Sequence, residues 1–458
     1  MSFVKLENLN DFIEPSSVCI KPIEKKTAGV VAKVNDINLS DCLACSGCIT
    51  SAETVLVQQQ THEELFKIIN ECKSSKVHRE IVVSLSLQSI ASLAHKYGIS
   101  AQEAAERIAS FFISIGCNKV HDINLARHLA LFEAYKEFKK RRSAGADSKS
   151  PIISSICPGW ICYAEKTNGD LIIPHLSQVR SPQQIMGSLI KELYSSSTGR
   201  LKSDIYHVTL MPCFDKKLEA SRGDFKYFSD DGDNEYKDVD CVLTPLEFEQ
   251  ILNDEGVTLL DLERRKLDLL VKTELDFDAP LTSHFGSGSG GYAENILLAE
   301  ASELFNMKET DLYDNLEYSI LRNSDFTELT LKKVGDDDSK AVRRFAIVNG
   351  FRNIQTVVQR LKRKALKYDY IEIMACPSGC INGGAQCKPN FGEDRNKMVQ
   401  ATKELYDEVS KVSLSLNSST LKDMLTSSLK LDNQLAIDKL LYTEFHAVPK
   451  MQNLTVTW

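Results

Sequence analysis

Two apolar spacings alternate along the chain from about residue 80 onward. Short apolar-rich runs, Ile81–Leu87, Pro151–Ile156, Val208–Met211, Val239–Leu243, Phe345–Val348 and Tyr370–Met374, read as strands of largely buried sheets. Between them, apolar residues recur three and four apart, the period of a helix with one buried side. Ala101–Ile115 is such a helix, and Gly116 after it suits a left-handed C-terminal position. Asn124 is placed to cap another, with Leu125, Leu129, Phe132 and Phe138 along one face. Ser181-Pro182 pairs a capping residue with proline at the first helical position. Thr244-Pro-Leu-Glu247 fits a capping box, and a further helix runs through Arg360–Ala365.

Repetition of strand, helix and strand predicts an α/β fold with mainly parallel sheets flanked by helices. In open sheets of this kind ligands gather beyond the C-terminal ends of strands. Cys157, Cys213 and Cys376 each stand just past such an end. Polar stretches divide the pattern. Ser143–Ser150 reads as a loop, Ser229–Asp240 and Gly335–Ser339 as solvated acidic segments, and Ser413–Lys430 as a link to a last helix. The expected organisation is a Cys-rich N-terminal segment over 1–78, a two-lobed body over 79–411 and a tail over 412–458.

Charge and cysteine usage narrow the chemistry. A chain of 458 residues exceeds one ordinary core, and a formal charge of −8 disfavours a nucleic-acid partner, which needs clustered cations. The basic run Lys139–Arg142 closes a predicted helix, where cations complement the dipole. Met1–Asp11 carries acidic residues and no apolar run, unlike a signal peptide, and no stretch nears the ~18 apolar residues of a membrane span. In the reducing compartment this implies, thirteen cysteines point to metal or redox chemistry instead of disulfides.

Cys42-x-x-Cys45-x-x-Cys48 puts three thiols in one compact loop, a common way to begin a thiolate cage for a [4Fe-4S] cluster. The competing structural zinc site usually takes two separated Cys-x-x-Cys pairs. Small Ser46 and Gly47 let backbone amides approach cluster sulfides. For the fourth ligand, spacing leaves Cys19 upstream and Cys72 downstream both open.

Four later segments carry the second candidate site: Ser154-Ser-Ile-Cys157-Pro-Gly-Trp160; Met211-Pro-Cys213-Phe-Asp-Lys216-Lys-Leu-Glu219; His284-Phe-Gly286-Ser-Gly288-Ser-Gly290-Gly291; and Met374-Ala-Cys376-Pro-Ser-Gly-Cys380-Ile-Asn-Gly383-Gly384-Ala385-Gln386. The glycine turn formally contains G-x-G-x-x-G. With no clear strand before it and no P-loop lysine after it, it is a weak nucleotide site. Two thiols in one loop among small residues, by contrast, suggest a tightly wrapped cofactor.

In order and wording these segments resemble the signatures of the iron-only hydrogenase catalytic domain. With the Cys-rich segment ahead of them, the chain resembles the hydrogenase-like iron–sulfur assembly factors of the nuclear prelamin A recognition factor family. The resemblance implies an inner [4Fe-4S] cluster on Cys157, Cys213, Cys376 and Cys380, and an outer one on Cys19, Cys42, Cys45 and Cys48. It places Lys216, Gly286, Gly290 and Gly383 around the inner cofactor. It also implies a non-catalytic carrier or adaptor, in the cytoplasm and the nucleus, passing clusters or electrons from a scaffold toward a targeting complex. The C-terminal Trp458 would dock there, as a large terminal aromatic anchors well. One departure bears on activity: Ile156 stands where hydrogenases have a proton-shuttling cysteine, which argues against the alternative of a residual hydrogenase-type oxidoreductase. Of the other cysteines, Cys117 and Cys241 read as core, and Cys162 and Cys387 as bystanders near the inner motifs.

Overall fold

A computed structural model describes residues 51–74, 78–143, 151–228, 234–270, 281–306, 308–313, 316–321, 323–332, 341–412 and 434–448. Cys19, Cys42, Cys45, Cys48 and Trp458 lie outside these residues, as do Gly335–Ser339 and Ser413–Lys430.

Two sheets organise the body. The first is formed by β1 (Glu80–Leu85), β2 (Lys119–Asp122), β4 (Ile205–Leu210) and β7 (Cys241–Leu243), all parallel, in the order β2-β1-β4-β7. The second is mixed and comprises β3 (Ile152–Ser154), β9 (Tyr318–Ile320), β10 (Phe326–Lys332), β11 (Ala341–Asn349) and β12 (Tyr370–Met374), in the order β3-β12-β11-β10-β9. Its β3, β12 and β11 run parallel, and β10 and β9 add an antiparallel edge. A hairpin of β5 (Lys226–Phe228) and β6 (Glu235–Lys237) and a parallel pair of β8 (Thr282–His284) and β13 (Ser410–Val412) complete the strands described.

The apolar runs sort themselves by alternation. Val82 faces a core shared by both sheets, where Leu129, Phe138, Ile185, Leu189 and Ile296 meet Ile205, Val242, Phe345 and Tyr370. Helices Asn124–Ser143, Pro182–Thr198 and Tyr292–Phe305 supply that shared layer. Ile81, Val83 and Leu85 point the other way, under helices Leu87–Tyr97, Ala101–Ile115, Pro245–Asp254 and His62–Lys73. Ile153, Val348, Ile371 and Ile373 do the same on the far side of the second sheet, under helices Pro158–Ile172 and Phe351–Lys362. Period-two strands between helical layers leave both sheets covered, as parallel sheets require.

Several expectations need correction. The first strand ends at Leu85, not Leu87, because Ser86 caps a helix over Leu87–Tyr97 that the alternating run Ser84-Leu-Ser-Leu had hidden. Asn124 does not cap its helix but opens it, and its amide donates to Asp122 Oδ1 at 2.8 Å. A short strand, β8, does precede the glycine turn. Part of the acidic stretch is not solvated. Asp238 is buried and paired with Arg180 at 2.9 Å, while Asp240 answers the buried Lys191 at 2.7 Å. Buried charge persists only with such partners. The Thr244 capping box is present as expected.

The core also buries imidazoles. His207 is wedged between Ser84 Oγ at 2.9 Å and the Asp238 carbonyl at 3.0 Å, and His121 between Asp268 O and Tyr194 Oη. Burial pushes His207 down to about 3, and His121 and His128 down to about 4. A neutral imidazole of this kind contributes its full stability above the ordinary value of 6.5 and loses it as pH falls toward the folded value. Unfolding free energy should therefore drop by about 1.4 kcal/mol per pH unit per histidine on acidification below pH 6.5. Urea unfolding of wild type and His207→Gln across pH 4.5–7 should show a shallower slope in the variant; equal slopes would contradict this account.

Candidate metal centre

Each cysteine of the second candidate site is delivered by a strand end or by the turn that follows it. β4 of the first sheet ends at Leu210 and Cys213 follows, just before helix Asp215–Ala220. β3 and β12 of the second sheet end at Ser154 and Met374, ahead of Cys157 and Cys376. Cys157 precedes Pro158, the first residue of helix Pro158–Ile172. The fourth thiol, Cys380, sits in a short 3-10 turn reached through Ser378 and Gly379 with φ of 58° and 72°. Gly379 has no room for a side chain, since a Cβ would lie 1.7 Å from Ser289 Oγ. That hydroxyl accepts the Cys380 amide at 3.0 Å, so the glycine turn and the Cys380 loop lock together. Gly383 is equally constrained: a Cβ would lie 2.4 Å from the Pro212 carbonyl, beside Cys213.

The result is that Cys157, Cys213, Cys376 and Cys380 line one cavity at the seam of the two sheets, with about 720 Å3 of empty space including its mouth. Ile156, Met211, Met374, Gln183, Asp215, Lys216 and Arg127 form other parts of its wall. Among the described residues no three His, Cys, Asp or Glu side chains converge as ligands of a single ion would. Four thiols spread around one hollow suit a polynuclear group better than a lone zinc ion, whose tetrahedral ligands sit only ~2.3 Å from the metal.

Electrostatics favour the same chemistry. Burial first, then Asp215 and Cys213, pushes the Cys157 thiol up to about 12, although the Trp160 and Ala375 amides pull against this. Burial together with the neighbouring cysteines holds Cys376 and Cys380 well above the ordinary thiol value of 9.0. Without a cation at their centre, these groups repel one another as thiolates. Iron bound there would supply that cation and make deprotonation favourable. The chemistry such a group supplies when bound is electron storage and thiolate-anchored cluster holding.

The remaining expected contacts divide. Lys216 lines the cavity and its Nζ donates to buried Glu219 Oε2 at 2.7 Å. Gly290 and Gly383 also line it, whereas Gly286 does not and packs against Glu294. The glycine turn is no nucleotide cradle. Its amides at Gly290, Gly291 and Ala293 donate to the fully buried Glu372 carboxylate at 2.9 to 3.1 Å, so an internal anion already satisfies that helix start. Cys117 and Cys241 are core residues, as expected. Cys162 lines a separate hollow beyond Ile156–Pro158, and Cys387 is buried against helix Leu87–Tyr97 with its amide on Ser92 Oγ. Cys72 lies on helix His62–Lys73, with its Sγ 3.9 Å from the Arg79 carbonyl oxygen. Two groups on the wall were not singled out in the sequence reading: Arg127, and Asp215, which lies unremarked inside the Met211–Glu219 segment.

The iron-only hydrogenase large subunit, C-terminal domain family matches residues 79–384. Cytosolic iron-sulfur assembly component 3 of Pongo abelii is 42% identical over 484 residues, covering 99% of this chain and 98% of that protein. The chain belongs to this family. Another relative is the Xenopus tropicalis protein named cytosolic Fe-S cluster assembly factor narfl, 41% identical with the same coverage. The fold of this assembly-component family is that of solved hydrogenases. An [FeFe]-hydrogenase studied for oxygen inactivation superposes with a TM-score of 0.70 at 21% identity, covering 84% of this chain and 99% of that one. A variant of the apo [FeFe]-hydrogenase HydA1 of Chlamydomonas reinhardtii does so at 0.69 and 22%, with the same coverage. An iron–sulfur cofactor is what the hydrogenase domain and the assembly-component names imply for this family.

Because Gly379 and Ser289 interlock, Gly379→Ala should displace the Cys380 loop. Iron content of anaerobically purified protein should fall to half or less while far-UV circular dichroism stays within a few per cent of wild type. Retention of full iron by the variant would show that the loop tolerates the shift.

Proposed function

We propose that this chain is a component of the cytosolic iron–sulfur protein assembly machinery that holds two [4Fe-4S] clusters and serves as carrier or adaptor, not as a catalyst. The inner cluster would be held by Cys157, Cys213, Cys376 and Cys380, and the outer one by Cys42, Cys45, Cys48 and Cys19. The observation that carries the reading is the convergence of four cysteines, from three separate segments, on one cavity. The assembly-component names borne by full-length relatives support it. In this reading the inner cluster is enclosed between the sheets and stabilises the fold. The outer one, on its Cys loop, is the exchangeable one. Partners would be the scaffold and the targeting complex, with Trp458 as the docking end.

A catalytic alternative draws on the hydrogenase-like domain and on a cavity that extends beyond the cysteines to Met211, Lys216 and Met374. Ile156 on that wall opposes it, since an alkyl side chain relays no proton.

Iron and sulfide analysis with electron paramagnetic resonance tests the proposal. Wild type should carry about eight irons, from two clusters of four. Cys42→Ala should keep about half, and Cys376→Ala should lose more than half, because removing a buried ligand also weakens the fold coupled to its metal. Zinc in place of iron, or an unchanged iron content in Cys376→Ala, would overturn the reading. A separate anaerobic assay with reduced viologen should detect no hydrogen; sustained evolution would favour the catalytic alternative.

A further inference from the structure

Arg127 lies in the first turn of helix Asn124–Ser143, is 6% exposed, and lines the cavity between Ile123 and the glycine turn. Among the described residues, every hydrogen-bond partner of its guanidinium is neutral. Nη2 donates to the Gly290 carbonyl at 3.1 Å, and Nη1 donates to Ser283 Oγ at 3.4 Å and to Tyr406 Oη, whose ring also lies beneath it. Nε is buried and has no hydrogen-bond partner among the described residues. The contrast with the wall's other cation is plain, since Lys216 is ion-paired to Glu219. A buried guanidinium without a carboxylate in contact is a costly arrangement unless something else in the site is negative. Its field reaches several groups. Burial raises Glu372 and Glu294 and Arg127 counters that rise, while burial and then Arg127 keep His284 neutral.

We propose that Arg127 is the counter-charge of the inner cluster, a positioning residue that sets the cluster's reduction potential from across the cavity without ligating it. This rests on the cysteine assignment above. Four thiolate charges exceed the charge of the iron–sulfide core, so the assembly is a net anion, and one-electron reduction makes it more so. A fixed cation at the wall favours the reduced form and raises the potential. The orphaned Nε and the neutral partners are then what a guanidinium reserved for that anion would show. Holding Gly290, Ser283 and Tyr406 together is a structural role the same side chain also performs, and the test separates the two.

The experiment is a redox titration monitored by electron paramagnetic resonance on the full chain in a Cys42→Ala background, which leaves the inner cluster alone. Adding Arg127→Gln should lower the reduced-to-oxidised ratio at fixed potential about tenfold, a downward shift of about 59 mV for a one-electron couple. Arg127→Lys should restore most of it, and Tyr406→Phe should leave the potential unchanged. Should Arg127→Gln fail to keep iron, Arg127→Lys decides: full iron at the parent potential upholds the proposal, and loss of iron in both overturns it. A cluster whose potential is the same with Gln as with Arg at 127 overturns the inference alone. A Cys42→Ala chain with no cluster at all overturns the cysteine assignment along with it.

Discussion

Four thiols facing one cavity at the seam of two sheets, two on buried residues and two on half-buried ones, are the constraint on which the rest of the structure depends. Burial and mutual repulsion push Cys157, Cys376 and Cys380 far from the thiolate form. As ligands they would need a strong cation, so metal binding and proton release would be one event. An apolar filling would have needed none of the surrounding apparatus. The side-chain-free turns at Gly379 and Gly383, the Ser289 hydroxyl on the Cys380 amide and the Gln386 side chain tying Gln88 to Cys380 all serve to fix sulfur positions.

The layering explains why the seam is a good place for such a group. Sheet one brings Cys213, sheet two brings Cys157 and Cys376, and the shared helical layer between them closes the floor. Strand ends are rigid, and the turns after them are short, so each sulfur is held by an element that a core of aliphatic and aromatic side chains pins in place. The N-terminal side is fastened to the same region. Val57 packs with Cys213 and Phe214, and Lys217 joins the Gln60 carbonyl to Glu247. The helix that follows the Cys42–Cys48 segment is thereby anchored beside the inner site.

Four buried charged groups share one pattern, each being met by an opposite charge or by donating amides. Glu372 is satisfied by three amides, Asp238 by Arg180, Lys191 by Asp240, and Lys216 by Glu219. Arg127 departs from it, and the departure occurs on the cavity wall. Buried charge without a contact partner is what a binding site looks like before its ligand is counted.

Much of this was legible in the chain itself. Strand runs and helix caps are local, so Tyr370–Met374 and the Thr244 box could be read from neighbours in sequence, whereas the four cavity cysteines came together as a set only through the resemblance to the hydrogenase signatures. The helix Leu87–Tyr97 was not legible, because its Ser-Leu alternation mimics a strand until tertiary packing chooses the period. Arg127 was passed over, Asp215 went unremarked inside its segment and the buried acid Asp238 was read as solvated for another reason. Their meaning depends on partners tens to hundreds of residues away, such as Gly290 and Tyr406 for Arg127, and only the folded chain brings those within reach. Local covalent order decided which atoms could bind metal, and long-range packing decided which charges stand around them.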